Sequence, residues 1–96
     1  PYTLVNLAVS YMNRDDYREA QRYAAEALAA EARVHGTESA MYGSVLRLYS
    51  QVYEGLGHAD SADAMIRTAV SLLERVLGTE HPDYWRAMGV YAQHRL

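Results

Sequence analysis

The chain has 96 residues, of which 50% are apolar and 22% are charged, so it is composed as one small folded domain rather than a disordered segment. Its formal net charge of −3 leaves no basic surplus for general binding to phosphate backbones. Cysteine is absent, which excludes disulfides and thiolate metal sites. The sequence has no apolar run of the roughly 18 residues that a membrane span needs. Residues 1–4 lack the blocks of a signal peptide, so the expected location is cytoplasmic.

The first two predicted helices form a hairpin. Apolar residues recur with helical spacing from Tyr2 to Asn13 and again from Tyr17 to about Val34. Asp16, with Glu19 three residues later, fits an N-terminal capping pair, and Asp15 alone is the alternative cap. Gly36 is placed to end the second helix in a left-handed C-cap. The inward positions are Leu4, Leu7, Ala8 and Tyr11 in the first helix, and Ala20, Tyr23, Ala24, Ala27, Leu28 and Ala32 in the second.

The next two predicted helices repeat this plan. They run from Ala40 to about Leu56 and, after a turn with two glycines, on to about Leu77, where Gly78 closes the second of them. The candidate N-caps are Thr37 or Ser39 for the first helix and Asp60 or Ser61 for the second. The inward positions are Val45, Leu46, Tyr49 and Tyr53, followed by Ala62, Met65, Ile66, Ala69, Val70 and Leu73.

A fifth helix is predicted to start at Pro82, since proline is tolerated at the first helical position. Its expected inward residues are Met88, Tyr91, Ala92 and Arg95. No partner helix follows it. Trp85 stands where the preceding unit has Gly43, and we expect it to pack over the open end of the stack, a contact with another molecule being the alternative.

A six-residue segment occurs twice in the chain with nearly the same sequence. Residues 33–38 (RVHGTE) return as residues 75–80 (RVLGTE). The whole chain aligns with itself at the offset between these two segments without a gap, so that Tyr11 falls on Tyr53 and Ala20 on Ala62. A fixed period of this size indicates stacked copies of one helical-hairpin unit.

The repeat resembles a tetratricopeptide array, of the 42-residue kind found in kinesin light chains. The matching positions are Leu4, Leu7, Ala8, Tyr11, Ala20 and Ala27 in one unit, and Leu46, Tyr49, Ser50, Tyr53, Ala62, Ile66 and Ala69 in the next. Residues 77–83 (LGTEHPD) closely resemble the linker of that subtype. Ala24 replaces the usual aromatic residue, so Tyr23 is expected to pack that hairpin instead.

The resemblance implies an all-α fold of antiparallel helical hairpins stacked as a right-handed α-solenoid. The expected content is five helices in about two and a half units, roughly residues 1–36, 37–78 and a partial unit 79–96. These units form a single domain over residues 1–96, which is complete or a piece of a longer array.

The resemblance also implies a non-catalytic protein–protein interaction module, in which the first helix of each unit lines a groove that holds a peptide. Arg47 and Arg86 are suited to a carboxylate, which predicts an acidic partner. The Asn6 amide is implied to pair with the peptide backbone, since it precedes Leu7 and Ala8 as in the family's Asn-Leu-Ala motif. The alternative is that these residues form solvated helix faces. The groove candidates are Asn6, Val9, Asn13, Arg47, Leu48, Gln51, Arg86, Val90 and Gln93.

Other chemistries find little support in the sequence. The four histidines, His35, His58, His81 and His94, are never spaced i, i+4, as two helical metal ligands would be. The serines lack the glycines of a nucleophile elbow, and no phosphate-binding glycine loop or dinucleotide fingerprint is present. We therefore expect no enzymatic activity, cofactor or metal, and neither nucleic acid nor membrane as a partner.

The ends of the stack support a second hypothesis. A solenoid exposes apolar surface at each end unless a polar helix covers it. Leu4, Leu7 and Tyr11 begin the chain, and the last helix has no partner. The alternative function is a structural scaffold, or homo-oligomerisation through these ends.

Overall fold

The computed structural model describes residues 2–95, and the side chains of residues 3–93. These residues form five helices: α1 (Tyr2–Asn13), α2 (Tyr17–His35), α3 (Ala40–Gly55), α4 (Ala59–Leu77) and α5 (Pro82–Arg95). Helix α4 begins and ends one full repeat period after α2 does, and α5 begins one period after α3. The predicted all-α solenoid of five helices is confirmed.

Small side chains allow the two helices of the first hairpin to approach closely. Ala8 of α1 and Ala20, Ala24 and Ala27 of α2 are completely buried. Because each of these side chains is a single methyl group, little side-chain volume separates the two helix backbones. The rings of Tyr11 and Tyr23 stack beside this contact, with centroids 5.6 Å apart and planes inclined by 8°. The expectation that Tyr23 replaces the missing aromatic residue at Ala24 is confirmed.

Two of the predicted N-caps form. The Asp16 carboxylate accepts a hydrogen bond from the Glu19 backbone N–H at 3.3 Å, and the Ser39 hydroxyl accepts one from the Tyr42 N–H at 3.0 Å. Each bond satisfies one of the N–H groups that lack a partner in the first turn of a helix. Ser39, rather than Thr37, is therefore the cap of α3.

The predicted cap of α4 was wrong. Asp60 and Ser61 lie inside the helix, and His58 is the N-cap, without a side-chain cap bond. Gly57 adopts φ +84°, which only glycine tolerates easily, and the helix cap then falls two residues before Asp60, the nearer of the two predicted caps. The His58 carbonyl then accepts the Ala62 N–H at 3.0 Å. Asp60 instead places its negative charge in the first turn, where the helix dipole favours it.

The glycine that follows the second helix of each complete unit does not adopt the predicted left-handed C-cap conformation. Gly36 and Gly78 have positive φ, +82° and +86°, but their ψ values of −178° and 173° are extended rather than left-handed helical. Glycine is almost the only residue that populates this region. Each glycine N–H still donates to a carbonyl of the last turn, that of Ala32 and Glu74 respectively. The chain therefore leaves each helix in an extended direction.

Helix α3 is central, because it packs against both α2 and α4. Gly43, at the start of α3, is buried so tightly against α4 that an added Cβ would lie 2.8 Å from Leu73 Cγ and Cδ2.

The core of the second unit differs in part from the predicted inward positions. Leu72 is buried although the sequence pattern did not predict it, and Tyr53, Met65 and Val70 are only half-buried. The buried members of the larger core cluster are Leu46, Ile66, Ala69, Leu72, Leu73, Tyr84, Ala87 and Val90.

The predicted inward face of α5 was partly wrong. Ala92 is exposed and Met88 is half-buried, whereas Tyr84, Ala87 and Val90 enter the core. The prediction copied positions that a second helix covers in the complete units, and no such helix lies beside α5 within residues 2–95. The side chain of Arg95 lies outside the described residues.

One carboxylate is buried at the junction between the first two units. Glu31 is 1% exposed, and its Oε2 lies 2.7 Å from His35 Nδ1 and accepts the Ser39 hydroxyl at 3.1 Å. Its Oε1 is buried without a hydrogen-bond partner among the described residues. Leu73 and Leu77 occupy the positions of Glu31 and His35 in the second unit, which therefore forms the same junction from apolar side chains.

We expect His35→Leu to destabilise the chain, because it leaves the buried Glu31 with a single weak partner, at a cost of about 1–3 kcal/mol. Adding Glu31→Leu recreates the apolar pair of the second unit. The double variant should therefore be at least as stable as the wild type. Urea unfolding, monitored by circular dichroism, measures the stability of the two variants. A double variant as unstable as His35→Leu would contradict this account.

We expect Ala62→Leu to unfold the domain or nearly so. Ala62 is completely buried where α4 packs on α3, and overpacking such a site costs about 1–3 kcal/mol or more of a small stability. The matched control is Ala64→Leu, because Ala64 is exposed on the same helix and its change should stay within about 0.5 kcal/mol. Equal thermal midpoints for the two variants would contradict close packing at Ala62.

Candidate functional site

The first helices of the units form the inner layer of the stack. Helix α3 contacts both α1 and α5, whereas the backbones of α2 and α4 do not approach each other within residues 2–95. A stack whose first helices lie closer together than its second helices curves toward the first helices. The exposed faces of α1, α3 and α5 therefore border one groove.

An apolar cavity of about 280 Å³ lies between α1 and α3. Val5, Val9 and Met12 form its α1 wall, and Met41 and Leu48 contribute from α3. The remaining lining residues are Ser44, Val45, Arg47 and Gln51. The volume suits one or two apolar side chains, since sites that hold a whole small ligand usually have a volume of about 300 Å³ or more.

A polar cavity of about 520 Å³ adjoins the apolar cavity, with which it shares Met12 and Gln51. Val90 and Gln93 of α5 reach it from the third unit. The other lining residues are Asn13, Asp15, Tyr17, Glu54 and Gly55. The two cavities are therefore neighbouring parts of one groove, which is apolar in one part and bears amides and carboxylates in the other.

Positive charge is concentrated beside the apolar cavity. Arg47 is half-buried, and within the described residues it forms no ion pair. Burial, and then the nearby charge of Arg86, lower the pKa of Arg47, while Asp83 opposes this shift. Arg86 is exposed and pairs with Asp83, with its Nη1 2.5 Å from Oδ1. Arg47 is thus a partly desolvated cation with a like charge as neighbour.

The structure brings together most of the predicted groove residues, whose role in binding stays a prediction. Two of them stand apart, since Asn6 and Arg86 are exposed and line neither cavity. Leu48 and Val90 are 6% and 9% exposed, so they form walls more than contact surface. The candidates that line a cavity are Val9, Asn13, Arg47, Leu48, Gln51, Val90 and Gln93.

Sequence reasoning missed part of the apolar wall. Val5, Val9 and Met12 follow an i, i+4, i+7 spacing, which forms a second stripe beside the predicted core stripe of the same helix. A search for two adjacent stripes would have found Val5 and Met12. Met41 follows the same i, i+4, i+7 spacing with Val45 and Leu48 of α3, so the same search would have found it.

Paired helices that repeat at a fixed offset and curve around a groove define a helical-repeat protein. The family model described as Tetratricopeptide repeat matches residues 2–75, and the chain therefore belongs to the tetratricopeptide-repeat family. No curated protein matches the chain. The family generally mediates protein–protein interactions, and its repeats are typically non-catalytic.

Two other kinds of site find no support in the part of the chain that the structure describes. No three or more His, Asp or Glu side chains are grouped there so that they could hold a metal ion. None of the helices there is both long and apolar enough to cross a bilayer.

We expect Arg47→Met to raise the thermal midpoint of the chain. The change removes a desolvated charge and its repulsion with Arg86, and it keeps a long apolar side chain in place. The matched control, Arg18→Met on α2, changes an exposed arginine and should leave the midpoint unchanged. A fall of about 4 °C or more for Arg47→Met, equal to about 1 kcal/mol in a chain of this size, would contradict the assignment.

Proposed function

We propose that the chain captures a segment of a partner protein in the groove. In this proposal an acidic group of the segment pairs with Arg47 and Arg86, and an apolar side chain next to it enters the apolar cavity. The observation that carries the proposal is the half-buried Arg47, which forms no ion pair among the described residues and lies at the rim of that cavity.

The surroundings of Arg47 favour the binding of an anion. A cation that is partly removed from water and has a like charge nearby is costly unless an anion compensates it. A carboxylate that reaches Arg47 and Arg86 together would offset both the burial and the repulsion. A guanidinium can also bind a carboxylate through two parallel hydrogen bonds, which favours arginine over lysine for this role.

The apolar cavity supports a segment with a large aliphatic side chain. Its α1 wall consists of valine and methionine side chains, and methionine adapts to the shape of the group that it contacts. A Leu, Ile or Met side chain of the partner would replace water there. The predicted motif is thus an acidic residue close to a large aliphatic one.

The polar cavity favours one orientation of the segment. Its amides, Asn13, Gln51 and Gln93, each offer a donor and an acceptor, which suits the backbone of an extended chain. Asp15 and Glu54 line the same cavity and would repel a second acidic group. The segment is expected to be acidic toward Arg47 and polar or basic toward Asp15.

We also assign the repeats to the kinesin-light-chain-like subtype. The support is the linker of residues 77–83, in which Gly78 has a positive φ and Pro82 starts α5. This assignment concerns the repeat unit alone and implies no particular partner.

We expect the chain to bind acidic–aliphatic peptides from an array of short peptides, and Arg47→Ala with Arg86→Ala to weaken this binding roughly tenfold or more. The double variant should also reduce the salt dependence, because fewer charge pairs then contribute. Fluorescence anisotropy of a labelled peptide across a salt series measures both effects.

The matched control is Arg67→Ala. Arg67 is exposed on α4 and pairs with Asp63 at 2.9 Å, much as Arg86 pairs with Asp83, but it lies outside the groove. An affinity that falls equally for Arg67→Ala, or that the groove double variant leaves unchanged, would refute the groove assignment. Peptides in which aspartate replaces the aliphatic residue should lose binding to the wild type.

A further inference from the structure

The polar cavity of the groove has the opposite electrostatic character to the surroundings of Arg47. Asn13 and Gly55 both line it, and they are the last residues of α1 and α3. The C-terminal end of a helix carries a partial negative charge. Asp15 and Glu54 add two carboxylates to the same lining, in which no described side chain carries a positive charge. The negative ends of two helices and two acidic side chains therefore converge on one cavity.

The nearest arginines in the sequence do not neutralise this cavity. Arg14 lies between two lining residues in the sequence, but it is not part of the lining, and its guanidinium carbon lies 5.2 Å from the centroid of the Tyr11 ring. Arg47 lines the apolar cavity and not the polar one. Within the described residues the groove is therefore positive beside its apolar part and negative at its polar part.

An aromatic ring forms a further part of the polar cavity. Tyr17 begins α2 and is half-buried, and a Cβ added to Gly55 would overlap its ring, so the ring is held against the end of α3. The Tyr17 hydroxyl lies 3.5 Å from Asp15 Oδ1, which places the carboxylate beside the ring. The face of an aromatic ring attracts a cation. Tyr17 therefore adds an attraction for a cation that does not depend on the carboxylates.

The same two kinds of group hold a cation elsewhere in this chain. The guanidinium carbon of Arg22 lies 4.6 Å from the centroid of the Tyr23 ring, and its Nη2 lies 2.8 Å from Glu19 Oε2. A tyrosine ring and a carboxylate thus suffice to place an arginine side chain on the surface of α2. Tyr17 and Asp15 offer the same pair of groups to the polar cavity.

The distance between the two charged parts of the groove sets a spacing for the partner segment. Arg47 and Glu54 are seven residues apart on α3, so they lie on the same face of the helix and about 10 Å apart along it. Gln51 lies between them and lines both cavities. An extended chain covers this distance in three residues, at about 3.3 Å for each. A segment laid along α3 therefore reaches both charged parts with residues three positions apart.

The alternation of side chains in an extended chain fits the two walls of the groove. Successive side chains point to opposite sides. An acidic side chain that reaches Arg47 of α3 is followed by one that points to the α1 wall, which consists of Val5, Val9 and Met12. The third side chain points back to α3, and the fourth points to the α1 side, where Asp15 follows the helix. The order acidic, aliphatic, any residue, basic places each side chain beside a complementary wall.

We propose that the polar cavity binds a lysine or arginine side chain of the partner segment, three positions from the acidic residue that pairs with Arg47. This inference rests on the proposed function, and it gives the segment a second charge at a fixed spacing. Asp15 and Glu54 compensate the charge of the basic side chain, and Tyr17 packs against its aliphatic stem. The groove thus selects a segment with one charge of each sign over a uniformly acidic one.

Four pairs of labelled peptides test the inference by fluorescence anisotropy. All have the same composition, with leucine next to glutamate on the side of the lysine, and serine elsewhere. The lysine lies two, three, four or five positions from the glutamate, and each pair contains both sequence orders, of which the tighter is compared. We expect a spacing of three to bind at least about threefold more tightly than the others. Norleucine in place of this lysine keeps the stem, removes the charge and should cost roughly threefold.

Asp15→Asn should weaken the binding of the peptide with a spacing of three roughly threefold or more and leave its norleucine form unchanged. The change preserves the backbone, because Asp15 has φ +61° and asparagine tolerates this conformation as aspartate does. Tyr17→Leu should also weaken binding, whereas Tyr17→Phe keeps the ring and should bind as the wild type does. The matched control is Asp60→Asn, because Asp60 is exposed on α4 outside the groove. Circular dichroism checks the folding of every variant.

The outcomes separate this inference from the proposed function. Binding that depends on Arg47 and Arg86, but that neither norleucine nor Asp15→Asn weakens, would keep the proposed function and overturn the inference. Equal affinities at all four spacings would overturn it too, as would an equal loss in Asp60→Asn, which would reduce the effect to net charge. If no peptide binds, the proposed function fails and the inference fails with it. A preference for a spacing of three that Asp15→Asn removes supports the inference.

Discussion

The close approach of helices at small residues is the constraint on which the other features of this structure depend. Ala8 and Ala20 in the first hairpin, and Gly43 and Ala62 in the second, leave almost no side-chain volume between the backbones. Larger residues at these positions would separate the helices and open gaps in a core that is already small in a chain of this size. The repeat period recurs because each unit must solve the same packing problem.

Curvature, and with it the groove, follows from this packing. The first helices touch along the inner layer while the second helices diverge, so the exposed faces of α1 and α3 meet at an angle and leave the two cavities between them. The groove is then free to carry residues that do not favour folding. Arg47 is the clearest case, because burial and Arg86 both disfavour its charge and no ion pair within the described residues compensates it. Functional residues are commonly found in such locally unfavourable positions.

Much of the fold follows from the sequence, because helical periodicity, capping residues and the repeat are local signals that agree with one another. The failures have physical causes. The cap of α4 depended on the backbone freedom of Gly57, which moved the N-cap to His58. Glu31 could not be recognised as buried, since a carboxylate at a helix end is normally solvated. Ala92 was expected to be inward because the repeat was copied without the helix that makes this position inward.

The repeat separates positions that must stay constant from positions that are free to vary. The hairpin contact keeps small residues at Ala8 and Ser50, and the same repeat position in α5 is also small, Ala92. The position of Arg47 in α3 is instead Val5 in α1 and Gly89 in α5, so this position of the groove carries a charge in the middle unit and not in the other two. A ligand that binds such a surface must be complementary to the residues that differ between units, and not to the residues that recur in every unit.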